Sequence, residues 1–228
     1  MIKKLLSKKI TKYIAVVLIF IGLYLVFRPS YIAWRFNKVQ DNMLATWKST
    51  SEFHKETEHA TWHSSVAVVG EIVDDVWEED TNPSIDLDYI INNMDGIISI
   101  EKINLYVPII NRYTINNLNI SVCSVIEKNR MGQIGNYVIA GHRSRIRGRH
   151  FNRLIELKAD DLIITENKEA KYTYKVTDVF LVSPDDIWVM KNDGNKKIIT
   201  LITCDYRTTP TGRLIVRGEL INTEAVNN

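Results

Sequence analysis

The chain has 228 residues, of which 45% are hydrophobic and 25% are charged, so its composition is globular and excludes an intrinsically disordered chain. A net charge of +2 says little about partners, because it averages segments of opposite sign. The two cysteines, Cys123 and Cys204, are too few for a disulfide scaffold. They leave three alternatives, namely one disulfide, buried unreactive thiols, or a nucleophile.

A charge-free apolar run, Ile14–Phe27, follows twelve residues that contain five lysines and no acid. The lysine excess places the N-terminus in the cytoplasm. The run is shorter than the roughly 20 residues of a full span, but flanking aromatic and basic side chains extend its interfacial reach. We therefore predict a cytoplasmic basic tail (1–12) and a single-pass transmembrane anchor (13–28), with the remainder extracellular. A cleaved signal peptide is the alternative, and it also exports the remainder.

Residues 29–94 are predicted to form an extracellular spacer that is partly helical. The stretch "SYIAWRFNKVQDNMLATWKS" carries apolar residues at helical spacing. His59 and His63 are four residues apart, but no third ligand stands near them at a suitable spacing. We interpret them as solvated side chains and predict no metal site. The acidic run Asp74–Asp80 is interpreted as an exposed loop.

From Gly96 onward, short β-branched runs alternate with turn residues, as in "GIISI", "NYVIAGH" and "KIITLITC". This pattern predicts an all-β barrel or sandwich. In "KYTYKVT" the apolar Tyr172, Tyr174 and Val176 alternate with polar residues, which indicates one buried and one exposed face. We assign residues 95–222 to this domain and residues 223–228 to a tail.

Cys204 ends an apolar strand in "TLITCDYRTTPTGRLIVRG", and a polar, turn-forming loop follows it. The sulfur is therefore expected where the strand meets solvent. Cys123 lies in "NISVCSVIE", where alternating apolar neighbours favour a buried position. A cysteine acts as a nucleophile in its thiolate form, which a nearby cation favours, and its leaving group needs a proton donor.

Two histidines follow the spacer. His142 ends the strand-like "NYVIAGH", a position analogous to that of Cys204, and two strand ends of one barrel can converge at one rim. His150, in "GRHFNRL", is interpreted as a surface or packing residue. Arg213 and Arg217 share a strand face because side chains alternate with period 2, and either is a candidate to stabilise an oxyanion. Spacing alone does not choose between them.

Three segments in order, "GNYVIAGH", "TLITC" and "GRLIVRG", resemble the sortases, which are cysteine transpeptidases of Gram-positive cell surfaces. The resemblance covers roughly residues 95–220 and implies a closed eight-stranded β-barrel with short helices. It implies that Cys204 is the nucleophile, His142 the acid and base, and Arg213 the group that stabilises the substrate carbonyl or oxyanion. It also implies that Ala140 and Thr203 lie at the substrate.

The resemblance further implies cleavage of a sorting signal similar to Leu-Pro-x-Thr-Gly (LPXTG), through a thioester. An amine of a peptidoglycan precursor, lipid II-like, would then accept the surface protein. The expected partners are such surface proteins, the precursor and the membrane, with no nucleic acid. The segments are nearer to class A, D or E than to class B. Calcium is known in part of the family, but its ligand positions are not matched here, so calcium stays an unsupported alternative and no cofactor is assigned.

Two other functions stay open at this point. One is an anchored cysteine peptidase that only hydrolyses, and the other is a non-enzymatic surface module with a Cys123–Cys204 disulfide. Four arginines follow the histidine in "GHRSRIRGRH", namely Arg143, Arg145, Arg147 and Arg149. We interpret them as a solvated loop, the alternative being attraction to acidic wall polymer or lipid phosphate.

Overall fold

A computed structural model describes residues 2–53, 89, 92–126, 128–144, 149–205, 207 and 211–226. The predicted exposed loop Asp74–Asp80 and the histidines His59 and His63 lie outside the described residues. The chain divides into two compact units, Met1–Asn42 and Met43–Asn228.

One long helix, α1 (Ile2–Phe53), begins the chain. The first part of the predicted spacer is helical, as its apolar spacing indicates. Within the predicted anchor, the large apolar side chains from Tyr13 to Phe27 are exposed. No helix among the described residues meets the length and apolarity needed to cross a membrane. The anchor therefore stays a prediction.

The second unit contains a closed barrel of eight strands, which confirms the predicted all-β barrel. The strands are β1 (Met94–Ile100), β2 (Leu105–Ile110), β3 (Val122–Ser124), β4 (Gly135–Ala140), β5 (Leu162–Glu166), β6 (Ala170–Val182), β7 (Lys197–Asp205) and β8 (Gly212–Ala225). They follow the order β1-β2-β3-β4-β7-β8-β6-β5 around the barrel. A short helix, α2 (Ile115–Ile120), precedes β3, and 3₁₀ turns lie at Glu101–Ile103, Leu154–Glu156 and Ile187–Met190.

The pairing of β4 with β7 is parallel and regular. Each β4 residue from Gly135 to Ala140 pairs with the residue 62 positions later in the chain. The carboxyl ends of the two strands therefore lie side by side at one rim. Strand β8 then returns antiparallel to β7, and its register sets Cys204 opposite Arg213.

The barrel interior is filled by alternate residues of the strands. Tyr137, Ile139 and Leu201 belong to this core, and each is almost completely buried. In β6, Tyr172, Tyr174 and Val176 are buried while the intervening residues are partly or fully exposed, which confirms the predicted alternation. Burial of each such apolar side chain contributes about 1.5–3 kcal/mol.

The outer face of β4, β7 and β8 is also covered. The segment that covers it lies between β6 and β7 and comprises residues 183–196, and we term it the β6–β7 connection. Its Val189 packs with Val138, Ile202 and Ile215 in a second apolar cluster. The alternation therefore separates two covered faces of the same sheet, one toward the core and one toward this connection.

A buried amide fastens the β6–β7 connection to the barrel. The side chain of Asn136 is fully buried, and its Nδ2 donates to the carbonyl oxygens of Val189 (2.9 Å) and Lys191 (3.2 Å). The Thr200 hydroxyl donates to Oδ1 of Asn136 at 2.7 Å. One side chain thus joins β4, β7 and the connection.

We expect Asn136→Ala to lower the free energy of unfolding by about 2–4 kcal/mol, because it leaves several buried polar groups without hydrogen-bond partners. Urea unfolding of the full chain measures the loss. The matched control, Thr200→Val, removes a single bond of the same network and should cost about 1–2 kcal/mol. Equal losses in the two variants would contradict the central place of Asn136.

Candidate active site

Neither cysteine is in a disulfide, and Cys123 is buried whereas Cys204 is partly exposed. The structure therefore does not contain the Cys123–Cys204 disulfide that one alternative required. Burial raises the pKa of the Cys123 thiol, which keeps it protonated and unreactive. Of the two, only Cys204 is at the end of a strand and open to a ligand.

His142 follows the carboxyl end of β4, at the rim where β7 carries Cys204. The amide N of Gly141 donates to the carbonyl oxygen of Ile202 at 3.0 Å, which continues the parallel ladder of β4 and β7 past Ala140. His142 is the next residue after Gly141, and the offset of 62 positions in this pairing corresponds to Cys204. The two strand ends converge at one rim, as the sequence predicts.

Arg213 directly faces Cys204 across the β7–β8 pair, with its side chain 4% exposed. Its Nη1 donates to the carbonyl oxygens of Thr211 and Gly212, both at 3.3 Å. Within the described residues its Nε has no hydrogen-bond partner. A permanent cation is thus fixed on the strand opposite Cys204, with one buried donor that no described residue uses.

Arg217 lies on the same strand face as Arg213 but makes different contacts. Its guanidinium lies 6.0 Å from the ring centre of Phe180 and 5.8 Å from that of Trp188. Its Nη2 donates to the carbonyl oxygen of Val189 at 2.9 Å. Arg217 is four residues after Arg213, the residue that pairs with Cys204. It therefore stabilises the β6–β7 connection through cation–π contacts and a hydrogen bond.

An apolar groove runs beside Arg213, between the β6–β7 connection and the outer face of the sheet. Cys204 shares the face of Ile202, because the two are two residues apart in one strand. The groove therefore includes two neighbours of Cys204 on this face, Ile202 in the same strand and Arg213 across the β7–β8 pair. Its lining comprises Val182, Ser183, Pro184, Asp186, Ile187, Val189, Met190, Ile202, Arg213 and Ile215.

The two predicted substrate-contacting residues lie on different faces. Ala140 pairs with Ile202 and shares the groove face. Thr203 is 2% exposed and, by alternation, belongs to the face opposite Cys204. Its hydroxyl has no hydrogen-bond partner within the described part of the chain. Their roles toward substrate stay predictions.

His150 is buried, so its interpretation as a surface residue is wrong and its interpretation as a packing residue is correct. Its ring stands edge-on to that of His142, with 6.1 Å between ring centres. Burial, and then the charges of Arg149 and His142, lower the pKa of His150 well below its ordinary value. A neutral imidazole is consistent with the bond that its Nε2 accepts from Nε of Arg149 at 3.3 Å.

Sequence reasoning missed an ion triad centred on Asp205, the residue after Cys204. Its carboxylate is fully buried, accepts a bond from Nη1 of Arg143 at 2.6 Å and accepts two from Nε of Arg207 at 2.9 Å. These bonds, that of the Arg207 side chain first, lower the pKa of Asp205 to about 2. Arg143 is therefore not a solvated loop residue, and Arg145 and Arg147 lie outside the described residues.

Within the described residues, no group of three or more His, Cys, Asp or Glu side chains is arranged to hold a metal ion.

Comparison with known proteins agrees with this geometry. Residues 98–221 match the family model described as the sortase domain. The chain is 33% identical over 220 residues to sortase A of Bacillus anthracis, which covers 96% of this chain and 98% of that protein.

Two solved structures share the barrel. Sortase A of Listeria monocytogenes has a TM-score of 0.56 at 29% identity and covers 60% of this chain and 92% of that chain. Sortase C of Clostridium perfringens, solved with the C-terminal cell wall sorting motif, has a TM-score of 0.52 at 27% identity and covers 57% of this chain and 71% of that chain.

The depressed pKa of Asp205 makes a prediction about stability and pH. Its ionised form is favoured by folding, so its contribution is complete above its ordinary pKa of 3.8 and is lost as the pH falls toward about 2. We expect Asp205→Asn to be less stable than wild type near neutral pH, with the difference narrowing as the pH falls below about 4. Urea titrations of both proteins at several pH values test this. A difference independent of pH would contradict it.

Proposed function

Because this chain belongs to the sortase family, and is therefore a cysteine transpeptidase, we propose that it joins surface proteins with an LPXTG-like sorting signal to a cell-wall precursor. One observation carries the proposal: Cys204, partly exposed and outside any disulfide, lies near the carboxyl end of β7, beside the end of β4 that His142 follows by two residues, and it pairs with Arg213 of β8. The sorting motif held by the Clostridium perfringens relative supports this class of substrate.

In the first half-reaction, the Cys204 thiolate attacks the carbonyl carbon of the Thr–Gly bond of the signal. The guanidinium of Arg213 stabilises the oxyanion, and its permanent charge and an Nε that no described residue uses as a donor support this role. The C–N bond then breaks, His142 gives a proton to the departing glycine amine, and the substrate remains on Cys204 as a thioester.

In the second half-reaction, an amine of the peptidoglycan precursor attacks the thioester carbon. His142 takes the proton of the amine, the C–S bond breaks, and a new amide joins the surface protein to the precursor. An amine is a better nucleophile than water toward a thioester, which favours transfer over hydrolysis.

We propose that residues 13–28 anchor the enzyme in the membrane, with the barrel outside the cell. The proposal rests on the apolar run Ile14–Phe27, on the lysines before it and on the exposure of its side chains in α1. The anchor would keep the barrel close to a membrane-held substrate and a lipid-linked precursor.

We expect the full chain to stay with the membrane fraction after extraction with alkaline carbonate, because its apolar run is embedded in lipid. A variant lacking residues 2–28 is the control and should be soluble. If the full chain were extracted as readily as this variant, residues 13–28 would not be the anchor.

Incubation of the full chain with an LPXTG-type peptide and a glycine-based amine should yield the amine adduct, detected by mass spectrometry. Cys204→Ala and His142→Ala should each reduce the adduct at least about a thousandfold, because each removes a group that takes part in bond breaking. Cys123→Ala is the matched control and should retain activity. Hydrolysis without any adduct would instead favour the cysteine peptidase alternative.

The two arginines of β8 should differ. Arg213→Gln should lower kcat by roughly a hundredfold or more, as expected for loss of an oxyanion donor. Arg217→Gln leaves the cation opposite Cys204 in place and should act mainly through the β6–β7 connection, with a rise in KM and a smaller loss of kcat. Steady-state kinetics of both variants measure this. Equal losses of kcat would contradict the assignment of Arg213.

A further inference from the structure

We propose that the buried ion pair between Arg143 and Asp205 is a positioning clamp that holds His142 and Cys204 in reacting geometry. The proposal rests on the function proposed above. Arg143 directly follows His142, and Asp205 directly follows Cys204. The two charged groups meet at 2.6 Å between Nη1 and Oδ1.

The pair continues the register of the sheet. Residues of β4 pair with residues 62 positions later, and Arg143 and Asp205 are also 62 positions apart. Past the backbone bond between Gly141 and Ile202, the carbonyl oxygen of His142 accepts from the amide N of Phe151 at 3.1 Å, and Arg143 reaches Asp205 of β7 through its side chain. The ion pair therefore joins the two strand ends one step beyond the catalytic residues.

The clamp lies behind the reacting groups. Side chains alternate along a strand, so Asp205 belongs to the face opposite Cys204, and its side chain has no exposed surface. Arg143 is 22% exposed. The pair thus leaves the groove open to substrate. Because a short charge-assisted bond to a buried carboxylate is strong and directional, it fixes the spacing of the strands that carry both catalytic side chains.

Arg207 provides the control that separates charge from position. It binds the same carboxylate, but it is only two residues from Asp205 in the same segment. It helps to neutralise a negative charge next to the thiol, which would otherwise disfavour the thiolate. It does not connect β7 to the segment that carries His142. Only Arg143 does both.

The kinetic test uses the full chain in mild detergent, with the sorting-signal peptide and an amine as substrates. We expect Arg143→Gln and Asp205→Asn each to lower kcat by about ten- to a hundredfold with KM within about threefold, since a misplacement near 1 Å can cost that much. The double variant should be no slower than the slower single variant. Arg143→Lys should recover part of the rate, and Arg207→Gln should stay within about threefold of wild type.

A second readout does not depend on the proposed function. The rate of Cys204 alkylation by iodoacetamide is measured against pH in a Cys123→Ala background, in wild type, in Arg143→Gln and in His142→Ala. If the clamp holds the imidazole beside the thiol, the profile of Arg143→Gln should shift from that of wild type toward that of His142→Ala. Arg207→Gln should keep the wild-type pH profile of alkylation, apart from a shift of the size expected from the loss of one positive charge.

Two outcomes would overturn the clamp. One is a loss of thermal stability in Arg143→Gln with an unchanged alkylation profile, which would make the pair merely structural. The other is a loss of kcat in the double variant that equals the product of the losses in the two single variants. If Arg143→Gln does not fold, Arg143→Lys and Asp205→Asn, checked by circular dichroism, decide by the same criteria. Failure of amine transfer with an intact alkylation result would count against the proposed function and leave the clamp standing.

Discussion

The parallel pairing of β4 with β7 is the constraint on which the site depends. Two strands distant in sequence run in the same direction with one constant register, so their carboxyl ends meet at one rim. His142 follows β4 at that rim, where β7 carries Cys204, and the antiparallel return of β8 pairs Arg213 with Cys204. A shift of one residue in β7 would turn Cys204 to the other face of the sheet.

The two faces of this sheet carry groups with different proposed roles. Cys204, Arg213 and the groove occupy the outer face, where the β6–β7 connection forms the opposite wall. Asn136 and Arg217 hold that connection by bonds to its carbonyl oxygens. Asp205 lies on the face opposite Cys204, and Arg143 and Arg207 bind its carboxylate. Under the proposed function, the reacting groups are held from several directions by elements that substrate does not need to displace, which is the arrangement that preorganised catalysis requires.

The barrel and the partly exposed position of Cys204 near a strand end were predictable from local pattern, whereas the ion pairs around Asp205 were not. The alternation of apolar and polar residues in β6 can be read directly from the sequence, and the polar loop after Cys204 distinguishes this cysteine from Cys123. The bond between Arg143 and Asp205 depends on the register of two distant strands, which local composition does not encode, so Arg143 resembled a solvated residue. Arg213 and Arg217 have equal spacing, and only the aromatic rings around Arg217 separate their roles. The adjacency of an arginine to the histidine and an acid to the cysteine was the available signal.

The most direct test of the account is to locate the acyl group on the enzyme. The full chain is mixed with a sorting-signal peptide without an amine, quenched in acid, digested and mapped by mass spectrometry. The account predicts the peptide's acyl mass on the fragment that contains Cys204, removable by hydroxylamine as expected for a thioester. Peptide cleavage with no acyl group on Cys204, or with the acyl group on another residue, would contradict it.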